Sequence, residues 1–268
     1  MTPVSSGSLP SAAGVFPPRP ARPRLRGRLV RLLPSSWQRS LRAWLRPAVP
    51  RVGGVNLGDL RRTTPLCNLY GYSRGEPVDR YYIERFLATH AGDVRGRVLE
   101  IGDHTYTFRF GGERVLQSDV LHIAKAHAGV TIVGNLETGE NLPSDTFDCF
   151  ICTQTLNFIY DLEACMHHAR RCLKPGGVLL LTVGAITPFS REEQEHWNAY
   201  WRLTSPALKH LAAQAFGPQA DVSVTGYGNV LAATAFLYGM AQSELTHAEL
   251  NARDGGYEVV VSLRAVKS

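Results

Sequence analysis

The sequence predicts an α/β protein built on a parallel sheet that helices cover on both faces. Short apolar runs typical of buried strands recur along the chain, and helical patterns separate several of them. Of the 268 residues, 44% are hydrophobic and 19% are charged, so the chain can bury a large core. Seven strands are expected, at residues 97–102, 115–120, 130–133, 147–152, 177–183, 221–227 and 257–266.

Helices are predicted where apolar residues recur at helical spacing. Asp79 is expected to cap the first helix, in which four apolar residues fall between positions 82 and 87. Three more helices are expected, at 162–173, 206–216 and 230–240. Asp161 suits the N-cap of the second helix. Ser205 suits that of the third, since Pro206 fits the first helical position.

The basic charge is concentrated in an N-terminal arm, residues 1–62. The arm holds twelve Arg, no Lys and one acid, Asp59, a net charge of +11. Residues 63–268 hold 17 basic and 22 acidic side chains, a net charge of −5, and are expected to form the globular domain. The basic isoelectric point therefore gives no argument for a nucleic-acid partner.

The arm is predicted to be largely disordered, because residues 1–24 are rich in Pro, Ser and Arg. A short amphipathic helix is expected near residues 35–46, where two Trp and two Leu share one face. A basic helix of this kind is typical of peripheral membrane or protein contact. The alternative is that its apolar face packs on the globular domain.

Several other classes of protein are excluded. No run of about 18 apolar residues exists, so no transmembrane helix is expected. Five cysteines at irregular spacing predict reduced thiols and a cytoplasmic protein. Cys149 and Cys152 fall on a predicted strand at a spacing that points them to opposite faces, so no metal site is expected.

The ends of the predicted strands indicate a nucleoside site. Gly102 follows the first strand and lets the backbone approach a ligand. Asp119, seventeen residues later, is expected to end the second strand and accept both ribose hydroxyls. Asn135 follows the third strand, where its amide is placed to contact an adenine.

Four successive motifs resemble those of class I S-adenosylmethionine-dependent methyltransferases. They are VLEIG (98–102), SDV (118–120), NLPSDTFDCFICTQTL (141–156) and LKPGGVLLLTV (173–183). The resemblance covers roughly residues 78–267. It implies a Rossmann-like, doubly wound, mostly parallel seven-stranded sheet with a final antiparallel strand. It also implies S-adenosyl-L-methionine as the cofactor, bound by Glu100, Gly102, Asp103, Asp119, Asn135, Leu136 and Thr153.

A narrower resemblance points to the acceptor. Four segments are similar to a type 11-like bacterial group that is often found beside glycosyltransferases. They are DRYYIERFL (79–87), TQTLNFIYD (153–161), HWNAYWRLT (196–204) and GYGNVLAATAFLYG (226–239). This resemblance implies O-methylation of a sugar, a glycan or a glycosylated small molecule.

A hydroxyl acceptor needs a base, and the segment after the fifth strand normally caps the substrate side of this fold. His196 is therefore the predicted base. Gln154, Tyr200, Trp201 and Arg202 are the predicted acceptor contacts. For the aromatic residues the alternative is packing in an amphipathic helix.

One departure from the general family pattern supports a second hypothesis. The usual Gly-x-Gly-x-Gly loop is replaced here by Gly102 and five residues that all carry side chains. The alternative is thus a binding or regulatory module of the same fold with weak or no catalytic activity. A nicotinamide dehydrogenase is disfavoured, because Gly-x-Gly-x-x-Gly is absent.

Overall fold

The computed structural model describes residues 49–125, 128–190 and 197–268. The chain divides into two units, Met1–Arg61 and Arg62–Ser268. In the first unit the described residues are almost all exposed and include one 3₁₀ turn, Gly58–Leu60. The helix predicted near 35–46, the disorder predicted for 1–24 and the predicted base His196 lie outside the described residues.

The second unit is built on one seven-stranded sheet. In chain order the strands are β1 (Gly96–Ile101), β2 (Val115–His122), β3 (Ile132–Val133), β4 (Phe147–Thr153), β5 (Leu173–Gly184), β6 (Val222–Tyr227) and β7 (Val260–Val266). The order across the sheet is β3-β2-β1-β4-β5-β7-β6. Strands β1 to β5 pair in parallel, and β7 runs antiparallel between β5 and β6. The predicted mostly parallel sheet with a final antiparallel strand is confirmed.

Helices cover both faces of the sheet. They are α1 (Val78–Thr89), α2 (Leu162–Cys172), α3 (Ser205–Phe216), α4 (Val230–Leu237) and α5 (His247–Asn251). Helices α2 and α3 contribute to one buried apolar cluster, whereas α1 and α4 contribute to the other. Successive residues of β4 from position 149 to 152 belong to the two clusters in turn. Cys149 and Cys152 therefore point to opposite faces of the sheet, as predicted.

The helix caps differ from the predicted ones at two of three positions. Asp161 caps α2 as expected, and its carboxylate accepts a hydrogen bond from the Ala164 amide at 2.9 Å. Helix α1 instead begins at Val78 after Pro77, so Asp79 lies inside the first turn. Helix α3 begins at Ser205, and the capping position falls to Thr204. Because of the shift at α1, Asp79 is a buried residue of the first turn and not the helix cap.

The connection between β1 and β2 is short. A π-helical turn, Thr107–Gly111, and a 3₁₀ turn, Gly112–Arg114, are its helical elements. The loop after β1 is consequently held by side-chain contacts rather than by a long helix.

Candidate functional site

The carboxyl ends of four parallel strands meet at one edge of the sheet. Gly102 follows β1, His122 ends β2, Gln154 follows β4, and Gly184 ends β5. Open α/β sheets bind ligands at this edge. The candidate site is therefore assembled from the loops that leave these strands.

Glu100 organises the loop after β1. Its side chain is 3% exposed and accepts hydrogen bonds from the Tyr106 amide at 3.2 Å and from the Thr107 amide and hydroxyl at 2.7 Å each. Burial raises the pKa of the Glu100 carboxyl from 4.5 to about 7, outweighing the three hydrogen bonds, which favour the charged form. One buried acid thus holds the loop in place through these hydrogen bonds.

Gly102 is the position of this loop that suits close approach by a ligand. Its φ of +89° lies in the left-handed region that favours glycine, and a Cβ there would meet no atom within 4 Å. The neighbouring Asp103 is exposed, and its carboxylate accepts a hydrogen bond from the Thr105 amide at 2.7 Å. Asp103 thus contributes to the turn of the loop.

Asp119 does not lie at the ligand edge. It pairs with Leu99 within the length of β1 and β2 and not at their carboxyl ends, because β2 continues three residues beyond it to His122. The residue is 5% exposed, and its carboxylate accepts hydrogen bonds from Arg97 Nε at 2.7 Å and Thr131 Oγ1 at 3.1 Å. The predicted ribose contact at Asp119 is not supported by this position. The sequence pattern placed the end of β2 too early.

We expect Asp119→Ala to lower the free energy of unfolding by about 1–3 kcal/mol, since the donors of Arg97 and Thr131 lose a partner. Affinity for S-adenosylhomocysteine should stay unchanged. Asp119→Asn, which keeps one oxygen, should cost less. Urea unfolding and calorimetry check both expectations, and a loss of affinity with unaltered stability would restore the ribose contact.

The other predicted cofactor residues occupy different environments. The Asn135 amide oxygen accepts a hydrogen bond from the Glu137 amide at 2.8 Å, so it shapes the turn after β3. Leu136 is buried in the core, and Thr153 ends β4 at the ligand edge. Their contacts with a cofactor remain predictions.

A pocket opens at the same edge beside β4 and β5. It is open to solvent, and its cavity volume is about 50 Å³. Its lining residues come from the segment before α1, the first turn of α1, and the loops after β4 and β5. They are Tyr70, Tyr72, Asp79, Arg80, Gln154, Asn157, Phe158, Thr187 and Pro188.

Three buried polar atoms of this pocket have no hydrogen-bond partner within the described structure. They are Asp79 Oδ1, Asn157 Oδ1 and Gln154 Nε2, two acceptors and one donor. Tyr70 and Gln154 also have left-handed backbones, with φ of +57° and +51°. Such strain in residues other than glycine is concentrated at functional sites. A polar ligand is one candidate for the absent partners of these three atoms.

Arg80 connects this pocket to the loop after β1. Its Nη1 donates to the Tyr106 hydroxyl at 3.1 Å, and its Nε donates to the Tyr72 hydroxyl at 3.0 Å. The Tyr106 amide in turn donates to Glu100. One chain of hydrogen bonds thus runs from the predicted cofactor loop to the pocket wall.

The sequence reasoning found Gln154 but missed Asp79, Arg80 and Asn157. All three lie in segments that carry the narrower family resemblance, 79–87 and 153–161, so a signal was present. Asp79 was interpreted as a helix cap, so its position in a pocket was not predicted.

The other predicted acceptor contacts are not among the residues lining this pocket. Tyr200 and Trp201 pack around Tyr160, at ring-centroid distances of 5.2 and 5.9 Å. Arg202 lies over the Phe189 ring and donates to the Thr187 carbonyl at 2.8 Å. The backbone here is not helical, so the aromatic residues pack without the expected amphipathic helix.

In residues 49–125, 128–190 and 197–268, no group of three or more His, Cys, Asp or Glu side chains is placed to hold a metal ion. Within the same ranges, no helix is both long enough and apolar enough to cross a membrane.

Residues 110–181 match a family model described as a methyltransferase domain. This segment includes β2 to β4 and most of β5, and thus the strand end that carries Gln154. The match supports a methyltransferase domain, and the seven-stranded sheet is the fold that the resemblance implied. No curated protein sequence matches the chain.

Several solved methyltransferase structures are similar to the chain. An S-adenosylmethionine-dependent methyltransferase from Mesorhizobium loti is 13% identical, with a TM-score of 0.48 over 71% of this chain and 100% of that one. One from Thermotoga maritima is 19% identical, with a TM-score of 0.46 over 71% and 93%.

Phosphoethanolamine N-methyltransferase 2 from Haemonchus contortus, solved with S-adenosyl-L-methionine, is 17% identical. Its TM-score is 0.43 over 65% of this chain and 49% of that one. The chain thus spans about half the length of the Haemonchus protein. With all three TM-scores below 0.5, these similarities carry no conclusion about the acceptor.

Proposed function

We propose that this protein transfers a methyl group from S-adenosylmethionine to a hydroxyl of a sugar, a glycan or a glycosylated small molecule. The observation that carries the proposal is the pocket of unpaired polar atoms at the ligand edge, next to the loop with the predicted cofactor motif. The same hydrogen-bond chain holds the loop and the pocket wall.

The residues at the ligand edge fit the methionine end of S-adenosylmethionine better than its ribose end. Gly102 leaves open space beside a loop that Glu100 holds in place, which suits close approach by the methionine end. At the end of β2, where an acid usually binds the ribose, the chain has His122. Its ring nitrogen contacts the backbone of Ala124. The ribose end is therefore expected to rely on other contacts.

The division of chemical work follows from the reaction type. When bound, the cofactor supplies an electrophilic methyl group on a sulfonium. The protein's task is to align an acceptor oxygen with that methyl group and to take its proton. We expect the pocket residues to carry out both tasks.

Charge in the pocket suits a neutral acceptor. Arg80 lines the wall, and its guanidinium is held by Tyr72 and Tyr106. Its positive charge lies close to the Asp79 carboxyl of the same pocket, so the two charges offset each other when the carboxyl is ionised. The aromatic rings of Tyr70 and Tyr72 offer apolar faces against which a sugar ring can pack.

A second candidate function is a binding or regulatory module with weak or no turnover. It is favoured by the loop of five residues with side chains after Gly102 and by the inward position of Asp119. Such a module would bind S-adenosylhomocysteine without transferring methyl groups.

One experiment separates these functions and the acceptor class. The full chain is incubated with [¹³C-methyl]-S-adenosylmethionine and matched panels of free sugars, nucleotide sugars, amines and thiols. We expect S-adenosylhomocysteine to form and labelled methyl ethers to appear in the sugar panels. Transfer to amines alone would contradict the acceptor class. Binding without transfer to any panel would favour the module.

The N-terminal arm is proposed to place a cytoplasmic enzyme near an anionic membrane surface or a protein partner. Its net charge of +11 motivates the proposal. Removing residues 1–62 should reduce cosedimentation of the protein with phosphatidylserine vesicles. Added salt should reduce cosedimentation of the full chain with the same vesicles. Full-length protein that ignores these vesicles at low salt would rule out the membrane contact.

A further inference from the structure

We propose that Asp79 is the base for methyl transfer and that Asn157 and Gln154 hold neighbouring hydroxyls of a polyhydroxylated acceptor. This inference rests on the proposed function and adds the proton acceptor and the recognition pattern. It starts from three buried atoms of one pocket, Asp79 Oδ1, Asn157 Oδ1 and Gln154 Nε2, which have no partner in the described structure.

The unpaired atoms specify the chemistry of the ligand. Two of them accept hydrogen bonds and one donates. A hydroxyl both donates and accepts, so adjacent hydroxyls on one ring can satisfy all three atoms. An acceptor with a single hydroxyl on an apolar frame would leave at least one buried group unpaired, and affinity falls when that happens.

Burial distinguishes Asp79 and Asn157 from the other pocket residues. Asp79 is 9% exposed and Asn157 is 7% exposed, so both groups are largely withdrawn from water. Burial raises the pKa of the Asp79 carboxyl, while the neighbouring Arg80 charge and two backbone amides oppose the rise. A carboxylate with a raised pKa accepts a proton more readily, provided that it is ionised at the working pH.

The proposed step balances in atoms and charge. The acceptor oxygen forms a bond to the methyl carbon, and the bond from that carbon to the sulfonium sulfur breaks, with its electron pair left on sulfur. The hydroxyl proton passes to Asp79 Oδ1. The products are a methyl ether, a neutral thioether and a protonated Asp79.

Arg80 is a positioning residue in this scheme. Hydrogen bonds to the hydroxyls of Tyr72 and Tyr106 fix its guanidinium beside Asp79, where the positive charge favours the ionised carboxylate. A purely structural role for Asp79 is the competing explanation, because an acid in the first turn of a helix also stabilises that helix. The test must therefore separate rate from stability.

The first measurement uses the full chain loaded with S-adenosylhomocysteine and saturation-transfer NMR. The probes are methyl glycosides of glucose, galactose, mannose and rhamnose, with cyclohexanol as the single-hydroxyl control. We expect saturation transfer to at least one glycoside and not to cyclohexanol, and we expect Asn157→Leu to weaken it at least tenfold. If the cofactor product binds but no glycoside does, this inference fails while the cofactor proposal stands. If the cofactor product does not bind, the proposed function itself fails.

The second measurement compares Asp79→Asn with Glu163→Gln, a matched change in the first turn of α2 outside the pocket. Asp79→Asn should lower kcat by roughly 10²–10⁴-fold, with affinity for S-adenosylhomocysteine and the glycoside within about twofold. Glu163→Gln should leave kcat unchanged. A kcat for Asp79→Asn that falls only in proportion to folded protein would overturn the role as base.

If Asp79→Asn does not fold, Asp79→Ala with added formate replaces it, since formate can enter the space that the side chain leaves. Recovery of the rate with formate supports the base. A folded Asp79→Ala protein with undiminished kcat in the absence of formate would overturn it.

Discussion

Replacing Glu100 with glutamine is expected to change the way stability depends on pH. The folded-state pKa of Glu100 is about 7, above its ordinary value of 4.5, because the carboxyl is buried. Between these two values the folded protein holds a proton that the unfolded chain has lost. The free energy of unfolding therefore falls as pH rises through this window, by up to roughly 3 kcal/mol, and levels off above pH 7.

The Glu100→Gln protein lacks this titration, so its stability relative to wild type should rise with pH from 5 to 8. Its absolute stability should be lower at pH 5, since the new amide group meets the buried donors of Tyr106 or Thr107. Urea unfolding at several pH values measures both effects. Glu113→Gln, an exposed change in the same connection between β1 and β2, is the control. A pH-independent difference between Glu100→Gln and wild type would contradict the burial argument.

Replacing Gly239 with alanine is expected to lower the free energy of unfolding by roughly 2–5 kcal/mol. Gly239 follows α4 with a left-handed φ of +68°, and a Cβ there would overlap the carbonyl oxygen of Cys67. The same two segments are also close at Gly71, where a Cβ would lie 2.7 Å from the Met240 carbonyl oxygen. The segment that carries Tyr70 and Tyr72 is thus packed directly on the end of α4.

Gly176→Ala is the matched control for Gly239→Ala. Its φ is +78°, but a Cβ there would meet no atom within 4 Å, so it incurs the backbone strain without the overlap. It should cost only about 1–2 kcal/mol. At temperatures where both variants are folded, Gly239→Ala should also raise KM for the acceptor, since it displaces two pocket tyrosines. Equal destabilisation by the two variants would contradict the close contact.

The strands of the sheet were predictable because buried parallel strands are nearly continuous apolar runs. The apolar runs within 147–152 and 177–183 became β4 and β5, and alternate residues serve both faces. Strand ends were less predictable. Residue 120 is followed by Leu121 and His122, which continue β2 through pairing with β1, and that pairing is a tertiary effect.

The candidate site was predictable only where a residue follows a strand directly. Gly102 and Gln154 do so, and both lie at the ligand edge. Asp79 and Asn157 reach the pocket from a helix and a 3₁₀ turn, and their meeting depends on how α1 packs on the sheet. Sequence patterns within one helix do not show which residues of other elements will lie beside it. Asp79 was therefore interpreted as a helix cap.

The most direct test of the central claim is calorimetric titration of the full chain with S-adenosylhomocysteine. Wild type should bind one molecule per chain. Gly102→Val should lose at least tenfold in affinity, because its side chain fills the open space beside the loop. Gly176→Val, a change at a glycine of similar φ outside the ligand edge, should keep wild-type affinity. Folded wild-type protein that shows no binding heat up to millimolar ligand would contradict the claim that this fold serves methyl transfer.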